Sequence, residues 1–140
     1  MKKGDKIKVV GPFGWFKIQD GVSPIVMYAG GVGITPIRAL LKSLEANTSR
    51  PIEVVFASDD YYLFGEDLEM LAGKNPQMIL HKTRNRTETE KIIDELAKAY
   101  GNKAYYYNSG SSKAIKAIKV RLKSKAINKK RMIDDMFFGY

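Results

Sequence analysis

Cysteine is absent from this 140-residue sequence, and histidine occurs once, at His81. Without thiols the chain can form no disulfide, present no thiolate nucleophile and hold no cysteine-bound iron–sulfur cluster. One imidazole offers little to a metal ion, so no metal site is expected. His81 lies in an apolar, strand-like run that suits a structural histidine with a satisfied ring. No apolar run approaches the ~20 residues that span a bilayer, and Met1-Lys2-Lys3-Gly4-Asp5 leads into no apolar signal region. The expectation is a soluble, cytoplasmic protein with no membrane partner. No Ser–His–Asp set stands out either, and Asp59-Asp60 and Asp134-Asp135 are adjacent pairs whose side chains would point to opposite faces of a strand.

Acidic residues are also missing from one long stretch. Between Lys113 and Arg131 there are nine basic residues and no carboxylate, while the rest of the chain balances at fifteen of each sign, so the net charge of +9 is local. No aromatic platform is interleaved with those lysines, which argues against nucleic acid as the partner. A hydrophobic content of 44% over this length suits one domain that buries its own core.

The organising stretch is Ile25 to Pro36, IVMYAGGVGITP. Strand-forming Ile25 to Tyr28 drop into a turn with Gly30, Gly31 and Gly33, and Thr35-Pro36 opens the amphipathic run IRALLKSL. Glycines let a ligand come close to the backbone, Thr35 is a good N-cap, and Pro36 suits the first helical position. The free N–H groups and positive dipole end of such a helix can position a phosphate, with a dipole term of roughly 0.3–1 kcal/mol. A bare glycine turn can equally be structural, and Gly31-Val32-Gly33 followed by Pro36 is not the Rossmann fingerprint.

Around this stretch, strands and helices alternate. Ile7 and Val9 alternate with lysines in an opening strand, which Gly11-Pro12-Phe13-Gly14 breaks and a loop through Gln19 to Pro24 follows. A helix is expected from about Pro36 to Asn47, a strand over Ile52 to Ala57, a helix over Phe64 to Leu71 and a strand over Met78 to Leu80. Then come a helix from Thr87 to Tyr100, a strand over Ala104 to Tyr107 ending in Asn108-Ser109-Gly110, a helix capped by Ser111 or Ser112, and a short strand from Met132 to Met136. This order implies βαβ units: an α/β, three-layer, doubly wound five-stranded parallel sheet with its ligand edge at the strands' carboxyl ends. Residues 1–20 are expected to be the end of another unit, and 21–140 the α/β domain itself.

With those landmarks placed, the chain resembles the pyridine-nucleotide-binding half of the ferredoxin–NADP reductase superfamily. Gly11 to Phe16 resembles the segment leaving the family's flavin barrel, Gly30 to Pro36 its pyrophosphate loop, Tyr106 to Gly110 its nicotinamide-side strand end, and Phe137 to Tyr140 its aromatic carboxyl terminus. The resemblance implies hydride transfer between NAD(P)H and FAD or FMN. It implies that Gly30, Gly31, Val32, Gly33, Thr35 and Pro36 contact the pyrophosphate. Asn108, Ser109 and Gly110 would stand near the nicotinamide, and Phe137 and Tyr140 where nicotinamide meets flavin, with Ser109 and Tyr140 closest to the reaction. As an alternative, Phe137 and Tyr140 are a terminal pair that covers the sheet end. The barrel's Arg-X-Tyr-Ser signature is absent, so the flavin is expected on a separate domain or subunit; Ser109, standing where many members carry cysteine, favours the non-catalytic alternative. A non-catalytic nucleotide-sensing module is the other reading.

Two loops bear on the choice of nucleotide. Ser58-Asp59-Asp60 offers carboxylates suited to a ribose diol, whereas Thr83-Arg84-Asn85-Arg86 offers guanidiniums suited to a 2′-phosphate. The expectation is NADH or use of both. The basic helix from Lys113 to Lys125 is either a solvated face or a dock for an acidic, ferredoxin-like electron carrier.

Overall fold

In the computed structural model, which describes residues 16–58 and 65–137, five parallel strands form one sheet in the order β3-β2-β1-β4-β5. The strands are β1 (Ile25–Gly30), β2 (Ile52–Ala57), β3 (Met78–Thr83), β4 (Tyr105–Ser111) and β5 (Met132–Phe137). The helices α1 (Ile34–Ser43), α2 (Gly65–Lys74), α3 (Arg86–Tyr100) and α4 (Ser112–Ser124) connect them as crossovers. Their register brings Gly30, Ala57 and Thr83 to one edge, with Ser111 and Phe137 ending β4 and β5 there.

Strand alternation assigns each side chain to a layer. Met27, Ala29, Val54, Phe56 and Tyr107 pack under Ile37 and Leu41 of α1 and Leu68 and Leu71 of α2. Val26, Tyr28, Val55 and Tyr106 face the other way, onto Ile93 and Leu96 of α3 and Ile118 and Leu122 of α4. The sheet is therefore buried on both faces, as parallel sheets require.

Several expected boundaries move. Helix α1 begins at Ile34 and ends at Ser43, because the glycines form a 3-10 turn over Gly31–Gly33 that runs directly into it. Gly33 is the N-cap, with no side-chain cap, so Thr35 lies inside the first turn and Pro36 is one residue further in. Pro36 is still tolerated there, since the first four N–H groups of a helix have no intrahelical acceptor. Helix α2 runs on to Lys74, past the expected stop, and Phe64 lies outside the described residues. Asn108, Ser109 and Gly110 do not follow β4 but lie within it, because pairing with β5 continues as far as Ser111–Phe137. Ser111 caps α4 by accepting from Ala114 N–H at 3.1 Å.

The loops at the amino edge are fixed by buried polar groups. Arg50, 4% exposed, donates from Nη1 to the carbonyls of Asp20 (2.8 Å) and Ser23 (3.2 Å). The Gln19 N–H donates to the Tyr107 hydroxyl, and Phe16 meets the Tyr107 ring edge-on at 5.8 Å, so the segment entering the domain lies against β4. Residues 1–15, with the expected first strand, lie outside the described residues. His81 bonds the Glu53 carboxylate through Nε2 at 2.7 Å, and Tyr100 donates to the other oxygen at 2.9 Å. Burial pushes the Glu53 carboxyl up, but these hydrogen bonds more than offset it and leave it below the ordinary carboxylate range. Among the described residues no helix is long and apolar enough to cross a membrane.

Asn75 is the tightest of these clasps. Fully buried, it donates from Nδ2 to the carbonyls of Leu44 (3.2 Å) and Asn47 (2.7 Å) and accepts from Gln77 N–H (2.9 Å). Asn75→Ala strands three backbone groups, so chemical denaturation is expected to show a loss of about 2–3 kcal/mol with an unchanged m-value. A loss below about 0.5 kcal/mol would mean that water replaces the amide.

Candidate functional site

The strand order reverses between β1 and β4, and there the chain leaves a cavity of about 480 Å³ on the α3/α4 side of the carboxyl edge. Its walls include Tyr28, Gly30 and Gly31 from β1 and its turn, Ser58 after β2, Arg84 to Arg86 and Glu90 after β3, and Ser111 and Lys113 after β4. Loops that follow adjacent parallel strands must meet at this edge, which explains why residues far apart in sequence share one wall.

Close packing at the reversal holds the turn in place. An ideal Cβ on Gly33 would lie 2.3 Å from the Ser109 carbonyl oxygen, so the turn after β1 rests directly on the β4 backbone. Gly31 has φ +57 and nothing within 4 Å of where its Cβ would be. It combines a left-handed backbone with open space in front, the geometry a ligand needs to approach a main chain.

Electrostatically, the cavity is positive. Arg86 is paired with Glu90 at 2.8 Å, and Glu90 also lies 3.9 Å from Arg121. The Glu88 carboxylate accepts from the Arg84 backbone N–H at 2.8 Å, while Asn85 caps α3 by accepting from Glu88 N–H at 2.9 Å. These bonds brace the turn after β3 and leave the Arg84 guanidinium exposed, with no ion pair among the described residues.

On the opposite face of the sheet, Ser109 and Asp135 are register neighbours on β4 and β5. Both are fully buried, and neither Ser109 Oγ nor either Asp135 carboxylate oxygen has a hydrogen-bond partner among the described residues. Burial raises the Asp135 carboxyl above its ordinary value near 3.8. Asp134 points the other way, as alternation demands, accepting from Asn108 Nδ2 at 3.0 Å and from Lys119 Nζ at 2.7 Å.

The expected site residues thus fall into groups. Gly30, Gly31 and Arg84 line the cavity. Gly33 and Pro36 are buried beneath the turn, Thr35 is exposed on the first turn of α1 outside the cavity wall, and Val32 is placed by its backbone within the 3-10 turn. Ser109 and Gly110 are buried in β4, and the Asn108 side chain is engaged by Asp134. Phe137 ends β5 opposite Ser111. Asp59 and Tyr140 lie outside the described residues. Sequence reasoning missed Lys113 and Glu90 as cavity walls and Asp135 as the register neighbour of Ser109. The missing signal was strand order, which no local pattern carries.

No protein-family profile matches the chain. In sequence it is 32% identical over 104 residues to a flavohemoprotein of Burkholderia sp. strain TH2, covering 68% of this chain and 26% of that protein. It is 37% identical over 87 residues to NADH-cytochrome b5 reductase 1 of Dictyostelium discoideum, covering 59% of this chain and 30% of that one. The chain therefore spans between a quarter and a third of these relatives' lengths. In structure it superposes on flavohemoglobin from Malassezia yamatoensis, solved with FAD and heme, with TM-score 0.74 and 18% identity over 86% of this chain and 33% of that one.

Asp135→Asn tests whether the buried carboxyl is strained. The folded state binds the proton more tightly than the unfolded chain, so wild-type stability falls as pH rises from about 3.8 through the raised folded value. The asparagine variant is expected to be more stable at pH 7, since each tenfold difference in proton affinity between the two states is worth about 1.4 kcal/mol. That advantage should vanish below the ordinary carboxyl value. Parallel stability–pH curves for the two proteins would show that Asp135 is not strained.

Proposed function

We propose that this chain, a member of the ferredoxin–NADP reductase superfamily, is the NAD(P)H-binding part of a flavin-dependent electron-transfer oxidoreductase whose FAD or FMN sits on another domain or subunit. The observation that carries the reading is the positive cavity at the strand reversal, with the open, left-handed Gly31 at its wall. The relatives' names point the same way: a flavohemoprotein and an NADH-cytochrome b5 reductase.

The residues present fit a dinucleotide. A pyrophosphate can reach the backbone at Gly30 and Gly31, where the N–H groups opening α1 and its dipole favour negative charge. Lys113 and the N-terminus of α4 add positive charge from the other side of the reversal. The nicotinamide half would extend toward the carboxyl end of β4, where Ser111 lines the cavity. When bound, the nicotinamide supplies the hydride that the flavin accepts. Phe137 and Tyr140 belong, in this reading, beside that meeting point.

In this reading residues 1–20, which resemble the end of a flavin barrel and its exit segment, lead to the unit that holds the flavin. The Lys113–Lys125 helix would dock an acidic electron carrier of the ferredoxin kind.

Differential scanning fluorimetry with NADH and NADPH tests the binding half of this reading. At 100 times Kd, a stabilisation of about 2.7 kcal/mol and a Tm rise of several degrees are expected. Gly31→Val places a β-branched residue at φ +57, which costs about 1–2 kcal/mol of stability while crowding the cavity wall. The variant should fold but lose the nucleotide-induced shift. Anaerobic bleaching of added FAD by the chain and NADH or NADPH tests the redox half. A shift without bleaching favours the sensing module, and no shift with either nucleotide refutes the reading.

A further inference from the structure

We infer that the amino edge of the sheet, opposite the cavity, is a docking surface for an acidic segment of a partner protein, read by Lys103, Lys125, Lys129, Lys130 and Arg131. The inference goes beyond the nucleotide-binding reading and does not depend on it, because the two surfaces lie at opposite ends of the strands.

Two turns build this surface. Lys103 ends the 3-10 turn Gly101–Lys103 after α3, and the chain from Lys125 leaves α4 and enters β5 through a second 3-10 turn, Lys129–Arg131. One side chain ties the two together. Asn102 donates from Nδ2 to the Ala126 carbonyl at 3.0 Å and accepts from the Asn128 N–H at 2.6 Å. Asn128 caps the second turn by accepting from the Lys130 N–H at 2.9 Å, and Ala126 holds a left-handed φ of +64 where the chain folds back after α4. Arg131 Cζ lies 4.4 Å from the centre of the Tyr105 ring, a cation–π contact with the first residue of β4. The backbone that carries these cations is thus fixed before any partner arrives, while the four lysines extend into solvent.

Charge at this edge has one sign. Lys103, Lys125, Lys129 and Lys130 are exposed and form no ion pair among the described residues, whereas Lys119 and Arg121 of α4 are paired with Asp134 and Asp94. The loop whose Pro24 carbonyl accepts from the Tyr105 N–H carries Asp20, but that carboxylate is already bonded to Ser23 and Arg50. Helices α3 and α4 both end here, and each carboxyl terminus contributes about half a negative charge. Two such ends offset about one of the five cations.

The chemistry of the surface selects its occupant. Nucleic acid needs a bare aromatic face on which bases stack, and Arg131 already covers Tyr105. A bilayer needs an apolar side chain to insert, and Ala126 is the largest that these turns expose among the described residues. An extended run of carboxylates needs neither, and it matches ammonium groups spread over two turns. Tyr105 at this edge and Ser111 at the cavity are the two ends of β4, seven residues or about 20 Å apart at 3.3 Å per residue. That exceeds two Debye lengths at physiological salt, about 8 Å each, so a partner held here leaves the cavity open and its field unchanged.

Fluorescence anisotropy of the intact chain with a labelled oligoglutamate peptide of about ten residues tests this. Binding is expected at low salt and should weaken about tenfold or more between about 50 and 200 mM salt. The triple variant Lys103→Gln, Lys129→Gln, Lys130→Gln should weaken it about tenfold, while Lys42→Gln, Lys74→Gln, Lys91→Gln, with the same loss of charge elsewhere on the surface, should stay within about twofold. Both variants should melt with wild type, since none of the six lysines is ion-paired in the described fold. No binding of the peptide, or equal weakening by the two triple variants, overturns the inference, the second by showing that net charge alone attracts the probe. Tighter binding of a short DNA duplex or of phosphatidylserine vesicles, lost with the same three lysines, also overturns it and gives the surface to that ligand. Peptide binding that persists when no nucleotide binds leaves this inference standing and removes only the proposed function.

Discussion

The close approach of Gly33 to the Ser109 backbone is the constraint on which the site depends. A side chain on residue 33 would have to occupy the space of the Ser109 carbonyl, so the turn after β1 can sit on β4 only because that carbon is bare. This contact sets where α1 starts, since the 3-10 turn over Gly31–Gly33 feeds directly into Ile34. It also leaves Gly31 facing outward with a left-handed backbone and nothing before it. One glycine closes the fold and its neighbour opens the site.

Two buried carboxylates show how differently the two ends of the sheet are treated. Glu53, near the edge strand β3, is satisfied by His81 and Tyr100, and its bonds hold the ionised form. It contributes stability that is present above the ordinary carboxyl value and lost as pH falls through the depressed folded one. Asp135, on the edge strand β5, has the opposite sign and no partner among the described residues. Buried polar groups without partners are rare and costly in native proteins, and they concentrate where a ligand supplies what the fold withholds. The contrast separates a structural carboxylate from one retained at the expense of stability.

Much of the architecture could be inferred from hydrophobic period and punctuation. The apolar runs in Ile25 to Tyr28 and in Ile52 to Ala57, and the i, i+3, i+7 spacing of Ile115, Ile118 and Leu122, are local and strong, and each strand and helix they implied from Ile25 onward is present. The errors fell where tertiary contact overrides local preference. Thr35 has the chemistry of an N-cap, but packing of Gly33 on β4 starts the helix earlier. Asn108 to Gly110 have the composition of a loop, but β5 pairs with them and keeps them extended. Of the site, the glycine turn and Arg84 were visible because their chemistry is local. Lys113, Glu90 and the Ser109–Asp135 pair were not, because only strand order brings them together.

The concentration of positive charge on α4 divides in the same way. Lys119 is taken by Asp134 and Arg121 by Asp94, so two of its cations serve the fold. Lys113 stands at the cavity wall, where a bound anion would feel it. Lys123 and Lys125 are at the far end, about 15–18 Å along the axis at 1.5 Å per residue. At physiological ionic strength the Debye length is about 8 Å, so charges that far from the cavity are screened from any ligand within it. Between Lys113 and Lys123 the exposed Val120 is 66% accessible. A small nucleotide can use only the first turn of this helix. If the rest of its charge acts on anything, the target must be large enough to reach along the whole face, which means a protein with an acidic surface rather than the cofactor itself.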